Sequence, residues 1–136
     1  MLFETKPEVD IHEMSPVALA FVGDAVLELL VRARLVGSTR LQPNRLHTVA
    51  THYVSAHAQC RELEILEPLL TEAEANILRR GKNASKASVA KHATVQEYRA
   101  STGLECLLGW LYLRGENDRI QQLFDAVWAK YEPERK

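Results

Sequence analysis

Cysteine is scarce in this chain: Cys60 and Cys106 are the only two, they lie far apart, and neither belongs to a Cys-x-x-Cys pair. Thiolate zinc binding and dithiol redox chemistry are thereby excluded as readings, and two buried reduced thiols are expected. A long apolar run is also missing. The most apolar stretch, 17–35, is broken by Asp24, Glu28, Arg32 and Arg34, so it does not read as a membrane span. The first residues mix Glu4, Glu8, Asp10 and Glu13 with Lys6, unlike the basic and then apolar start of a secretory signal. A cytoplasmic protein is the expectation. No Gly-rich phosphate loop, Gly-x-Ser-x-Gly turn or Glu-x-x-His pattern is present. The net charge of −1 announces no polyanion partner by itself. His47, His52 and His57 do not make a metal site on one helix, because a spacing of five turns each about 140° from the last.

What is present is helical. The 136 residues, 46% hydrophobic and 26% charged, suit one domain with one core. Ser15-Pro16 reads as an N-cap with proline at the first helical position, and Gly37 closes that helix after Arg32 and Arg34. Pro43-Asn44 opens a segment running to about Leu63, with apolar residues recurring at three and four. Thr71 with Glu74, and Thr94 with Glu97, are capping-box patterns. The first starts a short helix ending at Gly81, and the second a helix running to Arg114 with Gly115 as its stop. After Asn117 or Asp118, Ile120, Leu123, Phe124, Val127, Trp128 and Tyr131 form one apolar face. No strand-like alternation competes, so the chain reads as an all-α fold of about five main helices. Trp110 and Tyr112, like the aromatics of the last helix, are assigned to packing. Gly23, Gly103 and Gly109 fall inside helices, where each costs about 1 kcal/mol relative to alanine, which points to close approach by another helix or by a ligand.

Two acids stand out in apolar surroundings. Asp24 lies in Ala18-Leu19-Ala20-Phe21-Val22-Gly23-Asp24-Ala25-Val26-Leu27, and Glu105 in Gly103-Leu104-Glu105-Cys106-Leu107-Leu108-Gly109-Trp110. An unpartnered buried carboxylate is costly, so a metal, a cation or a function is expected at each, and one shared site for both. Glu28 lies one turn from Asp24 and Arg32 continues the stripe. From this helix alone, an exposed face with ordinary ion pairing explains the stripe equally well. Oxygen ligands without histidine or thiolate favour Mg²⁺ or Mn²⁺ over zinc, and such a metal activates water and neutralises charge at a phosphate.

The Phe21-Val22-Gly23-Asp24-Ala25-Val26-Leu27 segment resembles the signature of the ribonuclease III family, and Glu105 with Leu108-Gly109 and Tyr112-Leu113 resembles that family's second motif. The motifs stand in the family's order, and Arg79-Arg80-Gly81-Lys82-Asn83-Ala84 is similar to the compact Mini-ribonuclease III branch, in which no double-stranded RNA-binding domain is expected to follow. The resemblance implies a single ribonuclease III-like catalytic domain over 1–136. It also implies an endoribonuclease in which Asp24 and Glu105 are catalytic and ligate Mg²⁺, leaving 5′-phosphate and 3′-hydroxyl ends on double-stranded RNA. Further implied are a homodimer with Phe21 and Val22 at the interface, and precursor 23S ribosomal RNA as substrate in ribosome biogenesis. Two departures matter: Ala20 and Thr102 stand where the larger enzymes carry acids. Waters or Glu28 are expected to fill the outer shell, and the grip on metal to be weaker.

Between Ala75 and Gln96 there is no acidic residue, while Arg79, Arg80, Lys82, Lys86 and Lys91 supply positive charge with His92 beside them. These basic residues are the RNA-binding candidates, on a loop contacting phosphates and 2′-hydroxyls without reading bases. A solvated loop balancing acidic helices has nearly the same claim. Two other classes remain open: a non-catalytic RNA-binding or ribosome-assembly protein with this fold, favoured by Ala20 and Thr102, and a helical dimerisation module.

Overall fold

The computed structural model describes residues 3–4, 6–85 and 93–133. Six α-helices carry the fold: α1 (Pro16–Ser38), α2 (Pro43–Val54), α3 (Ala56–Leu66), α4 (Glu72–Ala84), α5 (Val95–Leu113) and α6 (Asn117–Lys130). Single 3₁₀ turns lie at Ile11–Glu13 and Glu67–Leu69. No strand occurs among the described residues, so the all-α reading holds.

Local signals account for most boundaries. The Ser15 hydroxyl accepts from the Ala18 amide with Pro16 behind it, and both capping boxes form reciprocally, at Thr71–Glu74 and Thr94–Glu97. Each satisfies backbone donors that a helix start leaves orphaned, worth about 1 kcal/mol. Gly115 adopts φ +73°, the left-handed conformation glycine supplies at little cost, and it ends the chain's path along α5. The expected helix from Pro43 to Leu63 is instead two. Ser55 takes extended backbone, φ −63° and ψ 158°, and its hydroxyl caps α3 through the Ala58 amide. The apolar period runs through this break because Tyr53 and Ala58 are both buried on the inner side of the pair. The helix of the basic segment also extends past Gly81 to Ala84.

α5 is the central helix. It is buried nearly all round, from Ala100 to Leu111, as a helix enclosed by its neighbours must be. α1 and α4 cross it at glycine contacts. A Cβ on Gly23 would lie 1.6 Å from the Glu105 carbonyl oxygen, and one on Gly109 would lie 1.9 Å from that of Leu19. Only hydrogen fits there, which is the close helix approach expected of these glycines. On the other side Gly81 and Gly103 face one another in the same way. α6 closes the core with Phe124 and Val127, while Trp128 stacks on the fully buried Tyr53 at 5.3 Å between centroids. Arg119 of α6 donates to both Glu74 oxygens at 2.8 Å, tying α6 to the start of α4. Cys106 is buried and Cys60 half-buried, both free thiols.

Candidate nucleic-acid cleavage site

The α1–α5 crossing that Gly23 permits sets Asp24 beside Glu105. Their side chains are within hydrogen-bonding reach, and the Glu28 charge also bears on Glu105. The burial expected of both acids differs between them: Glu105 is half-buried, whereas Asp24 lies on the exposed face of α1. The reason is geometric, since the buried face of α1, with Leu19, Gly23 and Val26, is the one turned inward, and Leu19 and Gly23 meet α5, leaving Asp24 at the edge of that face. Burial pushes the Glu105 carboxyl up to about 8; the nearby charges of Asp24 and Glu28 add to this, and the Gln59 amide opposes it. A carboxyl raised in this way favours its protonated form in the absence of a counter-ion.

The donor set fits a hard divalent cation. Mg²⁺ is commonly held by one or two carboxylates while it keeps several waters, and a cation between Asp24 and Glu105 relieves the repulsion that helps raise Glu105. Among the described residues no group of three or more His, Cys, Asp or Glu side chains is arranged to hold a metal. Ala20 is buried in the core, and the Thr102 hydroxyl donates to the Tyr98 carbonyl at 3.1 Å, so neither departure supplies a charged ligand. Glu28 accepts from Arg32 Nε at 3.1 Å, the ordinary ion pairing that the stripe on α1 also allowed.

Arg79 and Arg80 are exposed on the last turns of α4. Lys82 is half-buried and pairs with Glu67 at 3.5 Å, which takes up part of its charge. Lys86 and Lys91 lie outside the described residues. Among the described residues, no ion pair joins this basic segment to Asp24 or Glu105. Sequence reasoning missed Arg99, whose guanidinium donates to the Lys82 carbonyl at 3.1 Å and to Asn83 Oδ1 at 3.0 Å, tying α5 to the end of α4. It also missed Gln59, whose Nε2 lies 3.1 Å from Glu105 Oε2. The available signal was a polar residue on the repeating buried positions Ala58, Gln59, Glu62, Leu63 and Leu66.

Of the two interface candidates, Phe21 is 83% exposed and Val22 is half-buried against the core. Val17, Leu29 and Val36 are further exposed apolar residues of α1. Beside this helix, a groove of about 300 Å³ runs between α1 and α2, lined by Arg32, Val36, Leu46 and His47 among others.

Residues 17–116 match the family described as the ribonuclease III domain. The chain is 42% identical over 120 residues to a Mini-ribonuclease 3 of Brevibacillus brevis, covering 88% of this chain and 90% of that protein. A Mini-ribonuclease 3 of Streptococcus pneumoniae is 40% identical, with 91% of this chain and 98% of the relative covered. The fold is similar to a crystal structure of a Fusobacterium nucleatum protein, with a TM-score of 0.80 and 28% identity over 88% of this chain and 96% of that one.

Proposed function

The chain belongs to the ribonuclease III family, in its Mini-ribonuclease 3 branch, and is an endoribonuclease; from that premise we propose that it hydrolyses double-stranded RNA at a Mg²⁺ site built on Asp24 and Glu105. The observation that supports this reading is the meeting of the two acids from α1 and α5 at a crossing only glycine allows. Mn²⁺ has the same ligand preferences and serves as a substitute. When bound, the cation supplies charge neutralisation at the phosphate and an activated water. The protein's own part is to present two carboxylates on helices braced against each other, so that the site does not reorganise as charge develops. Products carry 5′-phosphate and 3′-hydroxyl ends. With acids absent at positions 20 and 102, Asp24 and Glu105 would hold a cation that keeps several of its waters, and Glu28, paired with Arg32, would add negative charge nearby.

Arg79, Arg80, Lys82, Lys86 and Lys91 are assigned to RNA phosphates, a sequence-independent contact in keeping with duplex recognition by shape. The exposed apolar face of α1 around Phe21 is assigned to a homodimer, with Val22 packing behind it rather than across it. The proposed substrate is precursor 23S ribosomal RNA in the cytoplasm; no helix among the described residues is long and apolar enough to cross a membrane.

An end-labelled RNA duplex incubated with Mg²⁺, with wild type and with Asp24→Asn, tests the reading, and Ca²⁺ serves as the binding-only control. The expected result is cutting by wild type, loss of at least about 100-fold in rate for the variant, and unchanged duplex binding in Ca²⁺. Cutting by Asp24→Asn at the wild-type rate overturns the assignment of Asp24.

A further inference from the structure

Gln59 is 2% exposed, and its Nε2 donates to the Val54 carbonyl and to Glu105 Oε2, each at 3.1 Å. Both amide hydrogens are thereby used. The two acceptors also settle the orientation of the amide, because its oxygen in the same place would face two oxygens. Val54 is the last residue of α2 and Gln59 lies in the first turns of α3, so the break at Ser55 creates the brace. The amide oxygen is buried without a hydrogen-bond partner among the described residues. Such an orphan costs stability, and its retention in a core calls for a reason.

The chemistry of the donor supplies one. A guanidinium or ammonium in place of the amide would neutralise the charge that attracts a cation, and an apolar side chain would leave the Glu105 carboxylate unanchored among its rotamers. A neutral amide fixes the carboxylate and leaves its charge available. We infer that Gln59 is the positioning residue of the site: braced on the Val54 carbonyl, it holds the Glu105 carboxylate beside Asp24 in a geometry ready for a divalent cation. This role rests on the proposed metal-dependent cleavage and adds to it the side chain that orients Glu105.

Gln59→Met keeps the length and volume and removes the donor, and Gln59→Asn keeps the amide but is one carbon too short. Calorimetric titration of Mn²⁺ into the RNA-free protein is the first readout. Both variants are expected to bind Mn²⁺ roughly 10-fold more weakly than wild type, the loss typical when a hydrogen-bond partner of a metal ligand is removed. The second readout is kinetic: kcat falls and the Mg²⁺ midpoint rises, while KM for the duplex and binding in Ca²⁺ stay at wild-type values. In wild type, the side-chain amide resonances of Gln59 are expected to shift as Mg²⁺ is added, a measurement independent of how the variants fold. Unchanged Mn²⁺ affinity in folded variants, or unmoved Gln59 resonances while backbone amides near Asp24 and Glu105 shift, overturns the role of Gln59 and leaves the proposed function intact. Absence of Mn²⁺ binding by wild type overturns both, and is recognised because Asp24→Asn then changes nothing either.

Discussion

Glu62 is a carboxyl buried in an apolar core at a cost to stability. It is 1% exposed, neither carboxyl oxygen has a hydrogen-bond partner among the described residues, and its surroundings include Leu27, Leu66, Leu104 and Phe124 around a cavity of about 20 Å³. Burial pushes its carboxyl from 4.5 up to about 9, so in the native protein it is neutral at pH 7. The unfolded chain ionises it near 4.5, so the native state binds the extra proton between the two values, and stability present below pH 4.5 is lost as pH rises toward about 9. At about 1.4 kcal/mol for each pH unit, this one group removes roughly 3 kcal/mol by pH 7. Glu62→Gln, isosteric and uncharged, is expected to be more stable than wild type by about that amount at pH 7 and to match it near pH 4. Denaturant unfolding of both proteins across this range checks it. Parallel stability curves would show that Glu62 ionises in the folded protein as freely as in the unfolded chain. The positions of Gln59 and Glu62 within the repeat shared with Ala58, Leu63 and Leu66 are the one sequence signal of their burial, and it is a faint one because packing between distant segments is what encloses them. Asp24 shows the converse: apolar neighbours predict burial, yet the face of α1 that meets α5 carries Gly23, and Asp24 is turned about 100° away from it.

At the scale of elements, the glycines decide how helices meet. Gly23 and Gly109 bring the α1 and α5 backbones into contact, while a methyl placed on Gly37 would have nothing within 4 Å, and Gly37 has no unusual φ. Opposite outcomes follow for one chemical change. Gly23→Ala puts a methyl 1.6 Å from the Glu105 carbonyl oxygen, so the helices must part and the carboxylate pair with them. A loss of about 3 kcal/mol or more is expected, on the order of severe overpacking, together with loss of cleavage. Gly37→Ala gains helix propensity near the end of α1 and is expected to raise stability by up to about 1 kcal/mol with cleavage unchanged. Thermal melts and duplex cutting on the two variants test both; similar melting temperatures for them would contradict the crossing. The elements themselves were largely legible. Both capping boxes, the Ser15-Pro16 start and the Gly115 stop are local signals, and each forms as the residue types require. The α2–α3 break was not legible, because a single serine ends one helix and caps the next inside an unbroken apolar period.

For the whole molecule, the proposed dimer joins site to substrate. A duplex has two strands, and one carboxylate pair cuts one phosphodiester before it must reposition; two pairs related by a two-fold axis cut both in one encounter. The exposed face of α1 carries Phe21 and Asp24 one turn apart, so an interface built there places each site next to the axis. Phe21 is 83% exposed in the single chain, hence its removal leaves the protomer core intact. Its truncation is expected to act on association alone: a large aromatic at the centre of an interface is typically worth about 2 kcal/mol or more, a dissociation constant raised roughly 30-fold. Phe21→Ala should sediment as a monomer at concentrations where wild type is dimeric, and should melt near the wild-type protomer. On a duplex it should leave nicks, visible as full-length material in a native gel and cut strands in a denaturing gel, where wild type leaves double-strand breaks. Wild type that sediments as a monomer while still making double-strand breaks would separate the two-strand cut from dimerisation and return Phe21 to an ordinary surface residue.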